Sequence, residues 1–225
     1  MTTGLPLVLV GLAGLAAGAL APMFLRRLRE PWRAVLEGIG PALYGLLPFS
    51  LVLQSGWVGR QDVGLQGPLP LAPGTGLGWP VADWVRGLGL AGLYAGGTIL
   101  VLQRWRGGTL ALPCRREAWE AGLAALGWEA LLALLRAPLG MFLFPADPLP
   151  AAWLAFGIAW GTIRTAWSRQ GRPPPIHWWA GALAGTAVFG LTGNLWVSAA
   201  AHAGTAVALS EDPSDLSLGE EAPRA

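Results

Sequence analysis

The chain has 225 residues, of which 53% are hydrophobic and only 12% charged, and its mean hydropathy is +0.49. Soluble globular domains carry about 25% charged residues, so this chain has too little polar surface to cover a globule in water. The stretches 4–25 and 176–209 contain no Asp, Glu, Lys or Arg at all. Composition therefore argues against a soluble fold and predicts an all-α, multi-pass bundle of transmembrane helices.

The basic residues are expected to set the orientation of the chain in the membrane rather than to bind a polyanionic ligand. All 15 basic residues are arginines, the formal net charge is +2 and the isoelectric point is about 9.3. Most of the arginines lie in short loops between apolar segments, where they orient a membrane protein. We therefore expect a lipid bilayer and other membrane subunits as partners, and no nucleic acid. The single cysteine, Cys114, has no second cysteine with which to form a disulfide within the chain.

Seven apolar segments follow one another along the chain, and six or eight spans are the alternatives. A transmembrane helix needs about 20 apolar residues. Pro41 and Pro48 should kink the second segment, and Pro138 should end the fourth. The segments are predicted at 4–25, 34–58, 85–103, 118–136, 149–167, 176–191 and 195–209.

The domain organisation follows from the same segments. Residues 1–209 are expected to form a single transmembrane domain, with a loop or re-entrant segment at 60–78 that is rich in Gly and Pro. The last 16 residues, 210–225, carry five acidic residues and no apolar period, which predicts a disordered acidic tail.

Arginine counts predict the orientation. The loops after the first, third and fifth segments carry four, four and two arginines, whereas those after the second, fourth and sixth carry one, none and none. The positive-inside rule then places the N-terminus outside and the C-terminus in the cytoplasm, as in a protein of the bacterial inner membrane. No basic region precedes the first segment, so we expect a retained helix rather than a cleaved signal peptide.

Tryptophans mark the predicted membrane edges. An indole has an apolar body and one N–H donor, so it settles where hydrocarbon meets headgroups. Two tryptophans differ because Trp128 and Trp160 lie near the middle of their segments. The other eleven of the 13 fall near segment ends: Trp32, Trp57, Trp79, Trp84, Trp105, Trp119, Trp153, Trp167, Trp178, Trp179 and Trp196.

Four ionisable side chains within the apolar segments are candidates for function. A charge at the bilayer centre costs about 2.5–3.5 kcal/mol on insertion scales, so such residues are functional candidates. Glu37 lies one turn from Arg33 and should pair with it. Arg136 is expected to snorkel from a helix end, although it shares a helical face with Glu129 and would reach it if both side chains extend. Glu129 and His202 have no such outlet to water.

A polar stripe runs along the last segment. Asn194, Ser198, His202 and Thr205 follow spacings of four, four and three, which places them on one helical face. Such a stripe is expected to face the interior of a bundle. Its residues either hold helices together or take part in chemistry, and their spacing alone leaves both interpretations open.

Three segments together resemble a known family. Gly193–His202 places a Trp six residues before a His, Phe156–Trp160 is similar to a Phe-x-x-x-His motif, and Trp128–Ala133 is similar to a Glu-Glu-x-x-x-Arg motif. In this order they resemble the CPBP family, the intramembrane endopeptidases that include CAAX prenyl proteases. The resemblance covers about 118–209, with Asp62–Leu65 as a further similar feature.

The resemblance implies an active site that has been largely overwritten. In the family, Glu and His residues meet in a membrane cavity and activate water for peptide hydrolysis, often with a metal. Only Glu129 and His202 match that set, and two ligands are fewer than the three protein ligands usual for catalytic zinc. The family's Glu, Arg, His and Asn are replaced here by Trp128, Ala133, Trp160 and Ala206 respectively.

Three functions remain open at this stage. The first is a pseudoenzyme without a cofactor, acting as a binding or structural subunit of a membrane complex. The second is a divergent intramembrane protease that uses Glu129 as base and His202 as electrophile or as ligand to one divalent metal such as zinc. The third is a small transporter or assembly factor whose polar stripe serves a passage.

Overall fold

The computed structural model describes residues 9–14, 16–17, 21, 24, 27–60, 62–65, 81–106, 115–168 and 176–209. In this part of the chain all regular structure is helical, which confirms the all-α prediction. Helix α1 is described at 9–14, 16–17, 21 and 24. The other helices are α2 (Glu30–Gln54), α3 (Val81–Arg106), α4 (Arg115–Phe142), α5 (Pro148–Ser168), α6 (Ile176–Thr192) and α7 (Leu195–Ala208).

The predicted segments correspond to these helices, and the largest shift is at the end of α4, which ends at Phe142 rather than at 136. The ends of α5, α6 and α7 lie within one residue of the predicted bounds, whereas α2 begins four residues earlier than predicted and also ends earlier, at Gln54. Pro31 lies in the first turn of α2, where its missing N–H has no helical partner to lose. The predicted tail and most of the predicted loop, 66–78, lie outside the described residues.

The prediction that Pro138 ends the fourth segment is wrong. Helix α4 continues through Pro138 to Phe142. A proline in a helix interior removes one backbone hydrogen bond and typically destabilises the helix by about 3 kcal/mol. Here Pro138 is buried among neighbouring helices, and burial of the surrounding apolar surface outweighs that local preference.

Helix α4 is the centre of the bundle. It packs against α2, α5 and α7 and touches α6, while α6 and α7 pack along each other. Helix α3 lies at the periphery, against α6 and α7. One apolar cluster fills the space between α2 and α4 and includes Phe49, Val52 and Leu134. A second apolar cluster lies between α4, α5 and α6. The α4 side chains that face α6 and α7 therefore lie between these two apolar clusters.

The connection between α6 and α7 brings the last helix into register. Gly193 has a φ of +62°, a conformation open to glycine at little cost, and Asn194 accepts hydrogen bonds from the backbone of Trp196 and Val197. The carbonyl of Gly64 accepts from Leu195 N at 2.9 Å. Asn194 is therefore the N-cap of α7 rather than a member of the polar stripe within the helix.

Within the described residues, two helices are long and apolar enough to cross a membrane, judged by length and composition alone. They are Val81–Arg104 in α3, with 17% of its most apolar window buried, and Trp119–Phe142 in α4, with 72% buried. Ala42–Gln54 and Leu195–Ala208 are apolar but shorter. A mostly buried apolar helix also occurs in the core of soluble proteins, so seven spans stay a prediction.

Candidate functional site

A carboxylate lies at the centre of the bundle. Glu129 of α4 is 0% exposed, and its two oxygens are contacted by side chains from α4 and α7. The helical period places it on the α4 face that meets α6 and α7. Burying an isolated ionised carboxylate is very costly, so partners for both oxygens are a physical requirement of this fold.

Arg136 supplies the opposite charge from the same helix. Its Nη1 donates to Glu129 Oε2 at 2.9 Å, and its Nη2 donates to Thr186 Oγ1 on α6 at 3.3 Å. The guanidinium also lies over the ring of Phe189, 4.3 Å from the centroid. The expectation that Arg136 snorkels to water is wrong: it is 3% exposed, because α4 continues beyond Pro138 and the pair satisfies both charges internally.

Helix α7 contributes two more partners, one turn apart. The Ser198 hydroxyl lies 2.5 Å from Glu129 Oε2 and 2.8 Å from the carbonyl oxygen of Gly185, so its single proton is shared between two acceptors. His202 Nδ1 lies 3.1 Å from Glu129 Oε1. Ser198 and His202 are both fully buried. We call Glu129, Arg136, Thr186, Ser198 and His202 the polar network.

Two glycines of α6 make room for the polar network. A Cβ at Gly185 would lie 2.6 Å from Glu129 Oε1, and one at Gly181 would lie 2.5 Å from His202 Cδ2. Both positions also approach the backbone of α7, at Ser198 and His202. The spacing of four places both glycines on one face of α6, which lets the two helices come together closely.

Some donors and acceptors around the network have no partner in the described part of the chain. They are His202 Nε2, Arg136 Nε and the indole nitrogen of Trp128. The ring of His202 faces that of Trp178, with centroids 6.2 Å apart. Both carboxylate oxygens of Glu129 thus have hydrogen-bonding partners, whereas Nε2 of the His202 ring has none among the described residues.

The two central tryptophans pack in an aromatic cluster beside the network. Trp128 is buried, with its ring centroid 4.5 Å from that of Trp178 and 6.2 Å from that of Trp179. Trp160 packs on Trp179 and Phe156 and is only partly buried. Trp128 therefore borders His202 through Trp178, whereas Trp160 reaches the network only through two other tryptophans.

Trp178 and Trp179 depart from the membrane-edge prediction. Trp179 is 6% exposed, and both rings pack against Trp128 inside the bundle. Both lie in the first turn of α6, a helix that packs against α5 and α7. These two indoles therefore pack against other aromatic rings, although they lie near the end of a helix.

The remaining predicted positions are buried without joining the network. Ala133 and Ala206 are packed and apolar, and Thr205 donates to the carbonyl of Ala201 within its own helix. Asn194 caps α7 and leaves its Nδ2 without an acceptor among the described residues. The side chain of Glu37, predicted to pair with Arg33, lies outside the described part.

Thr186, Gly181 and Gly185 were not among the predicted site residues. The two glycines carried a usable signal, since a small residue at every fourth position of an apolar helix indicates close helix packing. Thr186 had none, because its role depends on the guanidinium of Arg136 reaching it from 50 residues earlier in the chain.

No protein-family model matches the chain, and neither a characterised protein nor a solved structure is detectably similar to it. The similarity of its motifs to those of the CPBP family thus rests on the sequence segments alone.

The residues of the polar network do not fit a metal ion. No group of three or more His, Cys, Asp and Glu side chains comes together among the described residues. A cation at Glu129 would also meet the guanidinium of Arg136, whose Nη1 lies 2.9 Å from Oε2. The guanidinium of Arg136 already supplies the positive charge that a metal would bring to this carboxylate.

Proposed function

We propose that the chain is a multi-pass membrane protein with an overwritten CPBP-type site, acting as a non-catalytic binding or structural subunit of a membrane complex. The observation that carries the proposal is the saturated carboxylate of Glu129. Peptide hydrolysis needs a base that can take a proton from water and donors aimed at the developing oxyanion. Here Arg136 and Ser198 contact one carboxylate oxygen and His202 contacts the other.

The exposed faces of the outer helices support a membrane environment. Leu93, Leu100 and Val101 of α3 are each more than 65% exposed, and Leu47 and Leu51 of α2 more than 55%. Contiguous apolar surface of this kind marks a partner or a lipid phase. Together with the uncharged interior of α3 between Arg86 and Arg104, these faces fit lipid better than water.

Exposed tryptophans near helix ends agree with that placement. Four tryptophans, each more than 40% exposed, lie within the first two turns of α2, α4, α5 and α7: Trp32, Trp119, Trp153 and Trp196. Indoles in such positions are typical of membrane interfaces. The orientation that we propose, with an external N-terminus and a cytoplasmic C-terminus in the bacterial inner membrane, follows from the arginine distribution.

We expect no detectable cleavage of prenylated or other membrane peptides by the purified chain. Loss of one oxyanion donor typically lowers turnover by about 10²–10³, and several groups of the family are replaced here. Product formation by wild type and Glu129→Gln, followed by mass spectrometry, should be equally at background. Robust cleavage by wild type that disappears in Glu129→Gln would overturn the proposal and favour a divergent protease with Glu129 as base.

We also expect the purified chain to contain far less than one zinc or other transition-metal ion per molecule. The reason is the guanidinium that neutralises the carboxylate, which leaves His202 as the one nitrogen ligand of the polar network. Elemental analysis of protein prepared without chelator measures this. One metal per chain in wild type, lost in His202→Ala but retained in a control outside the polar network such as Ser50→Ala, would contradict the expectation.

A further inference from the structure

A groove of about 730 Å³ lies on the outer surface between α3 and α6. Its volume falls in the range of about 300–1,000 Å³ that is usual for sites of small organic ligands. The walls are mostly aliphatic or aromatic, and Gly97 opens the groove because a Cβ there would meet no atom within 4 Å. The residues that matter for its chemistry are Tyr94, Gly97 and Thr98 on α3 and Trp179 and Leu183 on α6.

Two residues with hydroxyl groups, Tyr94 and Thr98, line this otherwise apolar groove. The hydroxyls of Tyr94 and Thr98 make no hydrogen bond with any described residue. A polar group that leaves water without a new partner is destabilising. Two hydroxyl-bearing residues in the lining of one apolar groove therefore favour an occupant that combines an apolar body with a hydrogen-bond acceptor.

The depth of the donors narrows the class of occupant. Tyr94 is the fourteenth of the 26 residues of α3, so it lies at the middle of the helix, and Thr98 is about 6 Å further along the axis. If α3 spans the bilayer, as the proposed function states, ester carbonyls of the lipids lie about 15 Å from that depth. The acceptor must then belong to a molecule that dissolves in the hydrocarbon core.

We propose that this groove binds a lipid-soluble quinone, whose carbonyl oxygen accepts hydrogen bonds from the Tyr94 and Thr98 hydroxyls. The flat ring lies against the indole of Trp179, an arrangement that aromatic rings favour through offset or edge contacts. The alkyl tail follows the apolar wall formed by Leu183 and its neighbours. The site is separate from the polar network, since no residue of that network lines the groove.

The experiment uses the full chain in nanodiscs of dioleoylphosphatidylcholine, with decylubiquinone as the probe and decylbenzene as the analogue without oxygen. Quenching of tryptophan fluorescence is followed as quinone is added. We expect a saturable component at one quinone per chain in wild type, not competed by decylbenzene at equal concentration. Quenching that rises linearly, without saturation, would overturn the proposal.

Two glycine variants give a matched comparison on one helix. Gly97→Leu fills the groove, whereas Gly89→Leu places the same side chain at another open position of α3 outside the groove. The saturable component should be lost in Gly97→Leu and kept in Gly89→Leu. Equal behaviour of the two variants, with thermal midpoints showing that both are folded, would contradict a site at this groove.

The double variant Tyr94→Phe/Thr98→Val tests the hydrogen bonds without filling the groove. Loss of two hydroxyl donors should weaken quinone binding by about tenfold or more. Unchanged affinity would overturn the assigned role of these hydroxyls and leave only an apolar groove. Extraction of the chain from membranes by alkaline carbonate would instead contradict the membrane placement on which this site rests, so the two failures are distinguishable.

Discussion

Glu129→Gln should lower the free energy of unfolding by about 3–5 kcal/mol, because it leaves the guanidinium of Arg136 buried without a counter-charge. Gln has nearly the shape of Glu, so the substitution creates no cavity. It keeps an amide oxygen to accept from Arg136 and Ser198 but removes the charge. Unfolding of the purified protein by sodium dodecyl sulfate in mixed micelles measures the change.

A double-mutant cycle separates the ion pair from other effects of the substitutions. Arg136→Met should also destabilise, because the carboxylate of Glu129 then loses its charged partner. The double variant Glu129→Gln/Arg136→Met should be more stable than the sum of the two single changes predicts, with a coupling of about 1–3 kcal/mol. Additive losses would contradict a direct buried pair.

An exposed ion pair in the same protein provides the control. Arg86 and Asp83 lie 3.8 Å apart in the first turns of α3, with side chains 78% and 44% exposed. Asp83→Asn makes the same chemical change as Glu129→Gln, but surface pairs contribute only about 0–1 kcal/mol. If both substitutions had similar effects, the polar network would not be the stabilising core that we describe.

The sequence predicted the polar network in part, because helical periodicity is a local property. The spacing of four between Ser198 and His202 placed both on one face, and seven residues from Glu129 to Arg136 are close to two turns. Both relations depend on one helix each. The sequence did not show which helix would pack against these faces. That Thr186 and two glycines of α6 complete the polar network depends on packing between segments that are distant in the chain.

Local propensity also failed in physically understandable places. Proline is a helix breaker in isolation, but Pro138 lies within a buried helix whose packing outweighs the lost hydrogen bond. The indoles of Trp178 and Trp179 stand near a helix start, where an interfacial position was expected, yet they pack against Trp128. A hydrophobic pattern identifies an apolar surface without identifying what will cover it.

The contact between α2 and α4 is the clearest feature that no sequence pattern indicated. At Gly45 of α2, an added Cβ would overlap the backbone carbonyl group of Gly127 on α4. The two helices therefore meet backbone to backbone at this crossing, as small residues allow. The partner of Gly45 lies more than 80 residues away in the chain and is fixed only by the fold.

Gly45→Ala should consequently destabilise the protein by about 1–3 kcal/mol or more, the range of overpacked cores. A backbone carbonyl cannot turn aside as a flexible side chain can, so α2 must move away from α4 and loosen the apolar cluster around Phe49 and Leu134. Gly89→Ala is the matched control, since a Cβ at Gly89 meets no atom within 4 Å. There the higher helix propensity of alanine should stabilise by up to about 1 kcal/mol. The same substitution on two helices is thus expected to shift the unfolding midpoint in opposite directions, and equal shifts would show that α2 and α4 do not touch through their backbones.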